Sequence, residues 1–256
     1  MKNFTLLFIL LSAQIYTADK AEVTLLNAGN RKMIHSGFLL GTVNGTNISH
    51  VELKIDDGEY TRIEDHVLWK YKLPSGKETW QNGDKHNVKV KVVFKNDMTL
   101  VKEFSLIKGN NTDLNGDGFP DLVMGDHLYD RNRGAAYIYL GEEQGIQTTG
   151  KPAEIIPGSK NESYFGKTLV IEDVNRDGFA DIIISSFDDN SRVKAYIYKG
   201  SETVVGKPYV NTVINDLDKA GYFGISFGIE NFAKPGFMDL IIQSRKKKEI
   251  KTIKIK

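Results

Sequence analysis

The sequence has no cysteine and no excess of charge of either sign, and both absences narrow what the protein can be. Without cysteine there is no disulfide framework, no thiolate metal site and no cysteine nucleophile. The formal net charge is +1, so no overall electrostatic field selects nucleic acid or a membrane surface as partner. No segment has the run of about 18 apolar residues that a membrane-spanning helix requires.

Residues that commonly carry catalysis are also sparse or scattered. The five histidines show no metal-ligand spacing, and no serine–histidine–acid arrangement, phosphate-binding glycine loop or nucleotide fingerprint occurs. Clustered carboxylates occur inside two loops, where the chemistry described below commits them as cation ligands. The sequence therefore predicts a protein that is not an enzyme.

The N-terminus has the organisation of a secretory signal peptide. A short positive start, Met1-Lys2-Asn3, precedes the apolar stretch 4–11, and small and polar residues follow from Ser12 to Ala18. We expect residues 1–18 to be a signal peptide and the protein to be secreted, periplasmic or exposed at the cell surface. A buried N-terminal helix is the alternative.

One nine-residue loop occurs twice. Oxygen-bearing side chains lie at positions one, three, five and nine of each copy, and glycine lies at position six, where a positive φ is easily adopted. The side chains are Asp113, Asn115, Asp117 and Asp121 in the first copy and Asp173, Asn175, Asp177 and Asp181 in the second. Calcium takes six to eight oxygen ligands. Three carboxylates per loop would repel one another without a cation, so the sequence predicts two Ca²⁺ sites, with the carbonyls of Phe119 and Phe179 as further ligands.

These loops are not EF-hands. An EF-hand needs a bidentate glutamate at position twelve and flanking helices. Position twelve is Met124 in the first copy and Ile184 in the second, and each loop leads into a short apolar run typical of a buried strand. The sequence therefore predicts loops that lead into strands.

Residues 19–107 show the alternation of apolar and polar residues that β-strands require. Val51, Leu53 and Ile55 alternate with charged residues before the turn Asp57-Gly58, and similar strands are predicted around Trp69, Val90 and the segment 99–107. Six or seven short strands within 90 residues predict a sandwich. The order of strands and turns resembles bacterial Ig-like modules, which implies an Ig-like β-sandwich with Trp69 in its core.

Residues 108–256 contain a repeat of about sixty residues. The two loops are sixty residues apart, Ala136-Tyr137-Ile138-Tyr139 matches the segment 195–198, and Tyr164-Phe165-Gly166 matches the segment 222–224. Each unit predicts a strand, the loop, a buried strand, a tyrosine-rich strand and a further strand. Four antiparallel strands per unit are the composition of a propeller blade.

The Phe-Gly pair followed by the aspartate-rich loop resembles the FG-GAP repeat of integrin alpha subunits and many bacterial surface proteins. The resemblance covers residues 108–256 and implies an all-β fold in which an Ig-like β-sandwich precedes a partial β-propeller. It also implies that the aspartate-rich loops bind calcium at one face of each blade.

The third unit departs from the pattern, because Ala233 and Pro235 replace the expected ligands at positions three and five and Lys234 adds a positive charge between them. We expect this degenerate site to bind no metal. About two and a half blades remain, whereas closed propellers have four to eight. An incomplete propeller leaves blade faces uncovered, and three arrangements would account for this. The blades could pack on the Ig-like module, other chains could complete the ring as a homo-oligomer, or a shortened fold could tolerate the exposure.

The resulting prediction is a secreted or surface calcium-binding recognition or adhesion protein, with a protein or glycan ligand and no nucleic-acid partner. The basic C-terminus, Arg245 to Lys256, is expected to protect an edge strand or to contact an anionic surface. FG-GAP units also accompany extracellular phospholipases and polysaccharide lyases, so a part of a carbohydrate- or lipid-active enzyme is one alternative. A structural envelope component is the other.

Overall fold

The computed structural model describes residues 20–28, 32–189, 193–214, 225–230, 238–244 and 249–255. The predicted signal peptide, the degenerate third loop at 231–237 and the basic run at 245–248 lie outside the described residues. Those three predictions therefore remain predictions.

Within these ranges the chain is all-β. The first eight strands are β1 Ala21–Leu25, β2 Met33–Ile34, β3 Phe38–Gly45, β4 Ile48–Ile55, β5 Thr61–Ile63, β6 Leu68–Lys72, β7 Lys85–Phe94 and β8 Thr99–Lys108. The others are β9 Leu122–Asp126, β10 Ala135–Tyr139, β11 Glu154–Pro157, β12 Glu162–Ser163, β13 Leu169–Glu172, β14 Asp181–Asp188, β15 Val193–Ser201, β16 Val204–Ile214, β17 Ile225–Glu230, β18 Met238–Ser244 and β19 Glu249–Ile255. Helical structure is limited to a 3-10 turn, Gly76–Glu78, and a four-residue turn, Tyr129–Asn132.

Strands β1 to β8 form two sheets that share one core. The sheet orders are β1-β3-β6 and β2-β8-β7-β4-β5. Alternate residues of β7 point inward, so Val88, Val90 and Val92 are completely buried. Trp69 is 1% exposed and packs in the same core, which confirms its prediction as a core residue. We call this unit the sandwich. The two-sheet arrangement alone does not specify an Ig-like topology, which remains a prediction.

Strands β9 to β19 form three further sheets, which we call blade 1 (β9–β11), blade 2 (β12–β16) and blade 3 (β17–β19). Blade 1 has the order β11-β10-β9, blade 2 has the order β12-β14-β15-β16 with β13 also paired to β14, and blade 3 has the order β17-β18-β19. In each blade the strand with the predicted apolar run pairs antiparallel with the next strand. Blade 1 lacks a strand before its loop because β8 belongs to the sandwich, as the sequence predicts.

Blades 1 and 2 pack face to face. Val123, Ile138 and Ile156 of blade 1 share a core with Ile182 and Ile184 of blade 2. The aromatic ring of Phe165 joins this core and lies 6.0 Å and 6.3 Å, between ring centroids, from Tyr196 and Tyr198. The phenylalanine of the Phe-Gly pair therefore packs at the interface between blades 1 and 2.

The sandwich contacts the loops at one end of the blades. Gly37 lies so close to Gly178 that a Cβ on Gly37 would be 2.5 Å from the Gly178 Cα. The rings of Phe38 and Phe179 meet edge to face with centroids 5.3 Å apart. The outer face of blade 1 is left open, since Met124 and Ile155 are each 50% exposed. Packing against the sandwich thus covers the loop end of the blades but leaves the outer face of blade 1 exposed.

Candidate metal-binding loops

The two aspartate-rich loops have the same backbone shape. Gly118 and Gly178, both at position six, have φ angles of 99° and 98°, which confirms the predicted left-handed turn. Position four is also left-handed, with φ of 69° at Gly116 and 60° at Arg176. The sequence did not indicate this second turn, because glycine occupies position four in only one copy. Each loop leads into a strand, so the exclusion of an EF-hand is confirmed.

The aspartate at position one organises the interior of each loop. In the first loop Asp113 Oδ1 accepts a hydrogen bond from the Gly116 amide at 2.6 Å, and Oδ2 accepts one from the Gly118 amide at 2.9 Å. In the second loop Asp173 accepts bonds from the amides of Asp177, at 3.0 Å, and Gly178, at 2.9 Å. The carboxylate at position one therefore holds the two left-handed turns in place.

The aspartate at position nine ties the loop to the tyrosine-rich strand of its own blade. Asp121 accepts hydrogen bonds from the amides of Leu114 at 2.7 Å and Gly141 at 2.8 Å. Asp181 repeats both contacts, with the amide of Val174 at 3.2 Å and that of Gly200 at 3.1 Å. Each closing acid thus joins the start of the loop to a glycine near the end of the next strand.

Positions three and five form a side-chain pair in both loops. Asn115 donates from Nδ2 to Asp117 Oδ2 at 2.9 Å, and Asn175 donates to Asp177 at the same distance. The other oxygen of each aspartate accepts the amide at position seven, from Phe119 or Phe179, at 2.9 Å. All eight predicted side-chain ligands therefore lie on two loops whose hydrogen bonds match at positions three, five, six, seven and nine and differ in the second amide that the first aspartate accepts, Gly116 in one loop and Asp177 in the other.

Four of these carboxylates are buried in a region of like charge. Burial raises the pKa of Asp113 and Asp173 to about 6, and the nearby negative charge of Asp117 or Asp177 adds to the increase. Burial likewise raises the pKa of Asp121 and Asp181 to about 7, with further contributions from the other two aspartates of each loop. Backbone hydrogen bonds oppose these shifts without cancelling them. Keeping these aspartates ionised inside each loop is therefore electrostatically unfavourable.

These residues fit a hard divalent cation in their chemistry. The donors are carboxylate and amide oxygens, and a carboxylate that accepts two amide bonds still has lone pairs to offer a metal. Within the described ranges, no group of three or more acidic or histidine side chains meets the geometry of a ready-made metal cluster. The oxygens instead accept hydrogen bonds from backbone amides of the loop and of the following strand and, at Asp113, from the Ser36 hydroxyl. A cation would have to draw the side chains together, and it would offset their mutual repulsion.

The two loops are also joined to each other. The amide of Ala180 donates to the carbonyl of Asp113 at 2.8 Å, and Asn111 Nδ2 donates to the carbonyl of Gly178 at 2.9 Å. Lys108, only 4% exposed, places a positive charge near Asp113, Glu172 and Asp173. Burial lowers the pKa of Lys108, while these acids act in the opposite direction. The paired loops thus form one connected element.

Some residues of this element were not identified from the sequence. Ser36 donates from its hydroxyl to Asp113 Oδ2 at 2.6 Å, and Asn27 donates to the Gly118 carbonyl at 2.9 Å. Both belong to the sandwich, and nothing in the local sequence relates them to loops that begin 77 or more residues later. Gly141 and Gly200 did carry a signal, because they end the matched tyrosine segments.

A cleft of about 520 Å³ lies between the sandwich and blade 2, and Trp80, Lys108, Glu172 and Arg176 contribute to its walls. Lys108 Nζ donates to the Gly109 carbonyl at 2.6 Å. Glu172 accepts from the amides of Asn111 at 3.2 Å and Asp173 at 3.3 Å. These two groups hold the base of the loops, so the cleft adds no support for acid–base catalysis.

The stacked antiparallel sheets and their loops are consistent with blades of the propeller type. Residues 113–184, which include both loops, match the family model of the FG-GAP-like repeat. This agrees with the resemblance seen in the sequence.

Integrin alpha chains are among the proteins to which this chain is similar. Human integrin alpha-7 is 42% identical over 103 residues, which are 38% of this chain and 8% of the relative. Integrin alpha-6 of Gallus gallus is 36% identical over 141 residues, or 52% of this chain and 12% of the relative. Human integrin alpha-IIb is 28% identical over 144 residues, or 51% of this chain and 14% of the relative. The chain thus spans about a tenth of the length of these curated relatives.

In the part of the chain that the structure describes, no helix is long and apolar enough to cross a bilayer.

Proposed function

We propose that this chain is a secreted or cell-surface recognition protein whose FG-GAP-like blades are stabilised by two calcium ions. A signal peptide over residues 1–18 would precede an Ig-like module, 19–107, and the repeat region, 108–256. The observation that carries the proposal is the pair of loops with nearly the same hydrogen bonds and buried, mutually repelling carboxylates. Similarity to integrin alpha chains supports adhesion or recognition as the role.

The proposed ligands are the loop side chains already described and the carbonyls of the residues at position seven. They are Asp113, Asn115, Asp117, Phe119 and Asp121 for one ion and Asp173, Asn175, Asp177, Phe179 and Asp181 for the other. Calcium would neutralise the carboxylates and reinforce the turns from which β9 and β14 begin. Because the sandwich contacts both loops, the same ions would stabilise its docking to the blades.

A melting experiment tests calcium binding. An ion that binds the folded state alone stabilises it by about 2.7 kcal/mol per site at a hundredfold excess over Kd. We expect a chelator to lower the melting temperature and calcium to restore it. The double variant Asp117→Ala with Asp177→Ala should abolish this response. Asp57→Ala, an exposed acid in the β4–β5 turn, is the control and should leave it intact. A melting temperature that changes with neither chelator nor calcium would contradict the proposal.

The recognition role needs a separate measurement, because calcium can be purely structural. We expect the calcium-loaded protein to bind a protein or a glycan on an array of surface ligands. A blank array would instead favour a structural envelope component. Turnover of a glycan or lipid substrate by the purified chain would favour the enzymatic alternative and refute a non-enzymatic role.

A further inference from the structure

The two aspartate-rich loops contact each other directly through their backbones. The amide of Ala180, at position eight of the second loop, donates to the carbonyl of Asp113, at position one of the first loop, at 2.8 Å. The amide of Ser201, at the end of β15, donates to the carbonyl of Leu114 at 2.9 Å. The start of the first loop is therefore hydrogen-bonded both to the second loop and to a strand of the second blade.

A packing contact joins the loops as well. A Cβ on Gly116, at position four of the first loop, would lie 2.4 Å from Cε1 of Phe179. The ring of Phe179 thus lies against the first loop, while the carbonyl of the same residue is a proposed ligand in the second. A movement of Phe179 on cation binding would therefore shift the ring that packs on Gly116.

Asn111 bridges the two loops with its side chain, which is buried. Its Nδ2 donates to the carbonyl of Gly178 at 2.9 Å, and its Oδ1 accepts the amide of Asp113 at 3.2 Å. One carboxamide therefore connects position six of the second loop with position one of the first. The residue sixty positions later is Ile171, so this bridge is not part of the repeated loop pattern.

Glu172 makes a second bridge where the chain enters the loops. Its Oε1 accepts the amide of Asn111 at 3.2 Å and the amide of Asp173 at 3.3 Å. The buried ammonium of Lys108 lies beside this junction and offsets part of its negative charge. The segments that lead into the two loops are therefore held by one carboxylate oxygen.

We propose that these bridges couple the two loops, so that a calcium ion in one loop strengthens the binding of calcium in the other. The coupling rests on the calcium binding proposed above. An ion in the second loop would fix the carbonyl of Gly178, which holds Asn111 and, through it, the backbone of Asp113. The first loop would then lose less conformational freedom when it binds its own ion. The same effect acts in the reverse direction, because coupling between two binding sites is reciprocal.

Charge acts against this coupling. A divalent ion in one loop reduces the negative charge that attracts a second ion to the other loop. Salt screens such interactions over a distance of about 8 Å at physiological ionic strength. The hydrogen bond from Asn111 to Gly178 is buried and remains in place whatever the salt. We therefore expect the ordering effect to exceed the electrostatic one, and the coupling to be positive.

Isothermal titration calorimetry of the chelator-treated full chain with CaCl2, in about 0.15 M salt, tests the proposal. Asp177→Ala disables the second loop and Asp117→Ala disables the first, so each variant reports the affinity of the loop that is left. Coupled sites typically change each other's affinity by about 5- to 150-fold. We expect each remaining loop to bind calcium at least about fivefold more weakly than it does when the other loop is filled. For two equal sites, a fivefold coupling gives a Hill coefficient of about 1.4 in the parent chain.

Asn111→Ala tests the bridge itself. Two ions should still bind, because Asn111 is not a proposed ligand, but the Hill coefficient should fall towards that of independent sites. Asn110→Ala is the matched control, because this neighbouring asparagine is exposed, and it should keep the Hill coefficient of the parent chain. A purely structural role of Asn111 would lower the melting temperature without changing the coupling.

The outcomes separate the coupling from calcium binding. A parent titration equal to the sum of the two single-loop titrations would overturn the coupling and leave calcium binding intact. A parent chain that binds no calcium would refute both. A Hill coefficient that Asn111→Ala leaves unchanged would overturn the role of the bridge. Circular dichroism should show Asn111→Ala folded; if it is not, the comparison of the parent chain with the two single-loop variants still decides whether the loops are coupled.

Discussion

The docking of the sandwich onto the second loop makes Gly37→Ala the most informative single substitution. A Cβ at residue 37 would lie 2.5 Å from the Gly178 Cα and 2.6 Å from its carbonyl carbon. Carbon atoms in favourable contact are about 3.5–4.0 Å apart. The obstacle is backbone on both sides and no flexible side chain can yield, so the two segments must separate by roughly 1 Å.

That displacement has a cost that can be approximated. Inserting a methyl group into a tightly packed site costs about 1–3 kcal/mol. For a chain of this size each kcal/mol lowers the melting temperature by about 2–4 °C, so we expect a decrease of roughly 2–12 °C. The same movement would strain the hydrogen bond from Ser36 to Asp113, which is 2.6 Å long and fully buried.

Differential scanning calorimetry of Gly37→Ala measures this loss. Gly150→Ala is the control, because a Cβ at residue 150 meets no atom within 4 Å and its backbone is not left-handed. We expect the control to melt like the parent chain. Equal melting temperatures for Gly37→Ala and Gly150→Ala would show that the sandwich and the second loop do not pack as described.

Two further predictions concern the cores. Trp69→Ala empties a site that is 1% exposed and should lower the free energy of unfolding by about 3–5 kcal/mol in a denaturant titration. Leu68→Ala, at a residue that is 54% exposed, is the control and should lower it far less. Equal losses of stability would contradict the core position of Trp69. Gly125→Ala would place a Cβ against the backbone of Gly166, 2.9 Å from its carbonyl carbon, and should destabilise the chain by about 1–3 kcal/mol. A thermal melt indistinguishable from that of Gly150→Ala would rule out the described joint between blades 1 and 2.

Local patterns predicted the strands well because alternation depends on which side of a sheet each residue faces. The strand predicted around Trp69 is observed as Leu68–Lys72, and 99–107 is observed as Thr99–Lys108. The turn at position six of each loop was also predictable, since glycine there relieves a steric restriction that acts within one residue. These features depend on neighbours along the chain, which a sequence displays directly.

The internal repeat carried information over a longer distance. It indicated that the tyrosine strands pair with the strands after the loops, and the register Ile182 with Tyr198 bears this out. It also indicated that β8 would be committed to the first module, which left blade 1 without a strand before its loop. Comparison of unequal copies predicted where a blade is incomplete, but it did not predict what lies beside it.

The sequence by itself determined the β-strands, the two aspartate-rich turns and the family that the repeat resembles, because each is written in spacing along a short stretch of chain. Only the tertiary structure decided that Ser36 and Asn27 reach those turns, that Gly37 must be glycine because Gly178 lies against it, and that one blade face stays open. Such contacts join residues that are 77, 91 or 141 positions apart. Which residues meet in this way depends on how whole sheets pack, and no local sequence pattern indicates it.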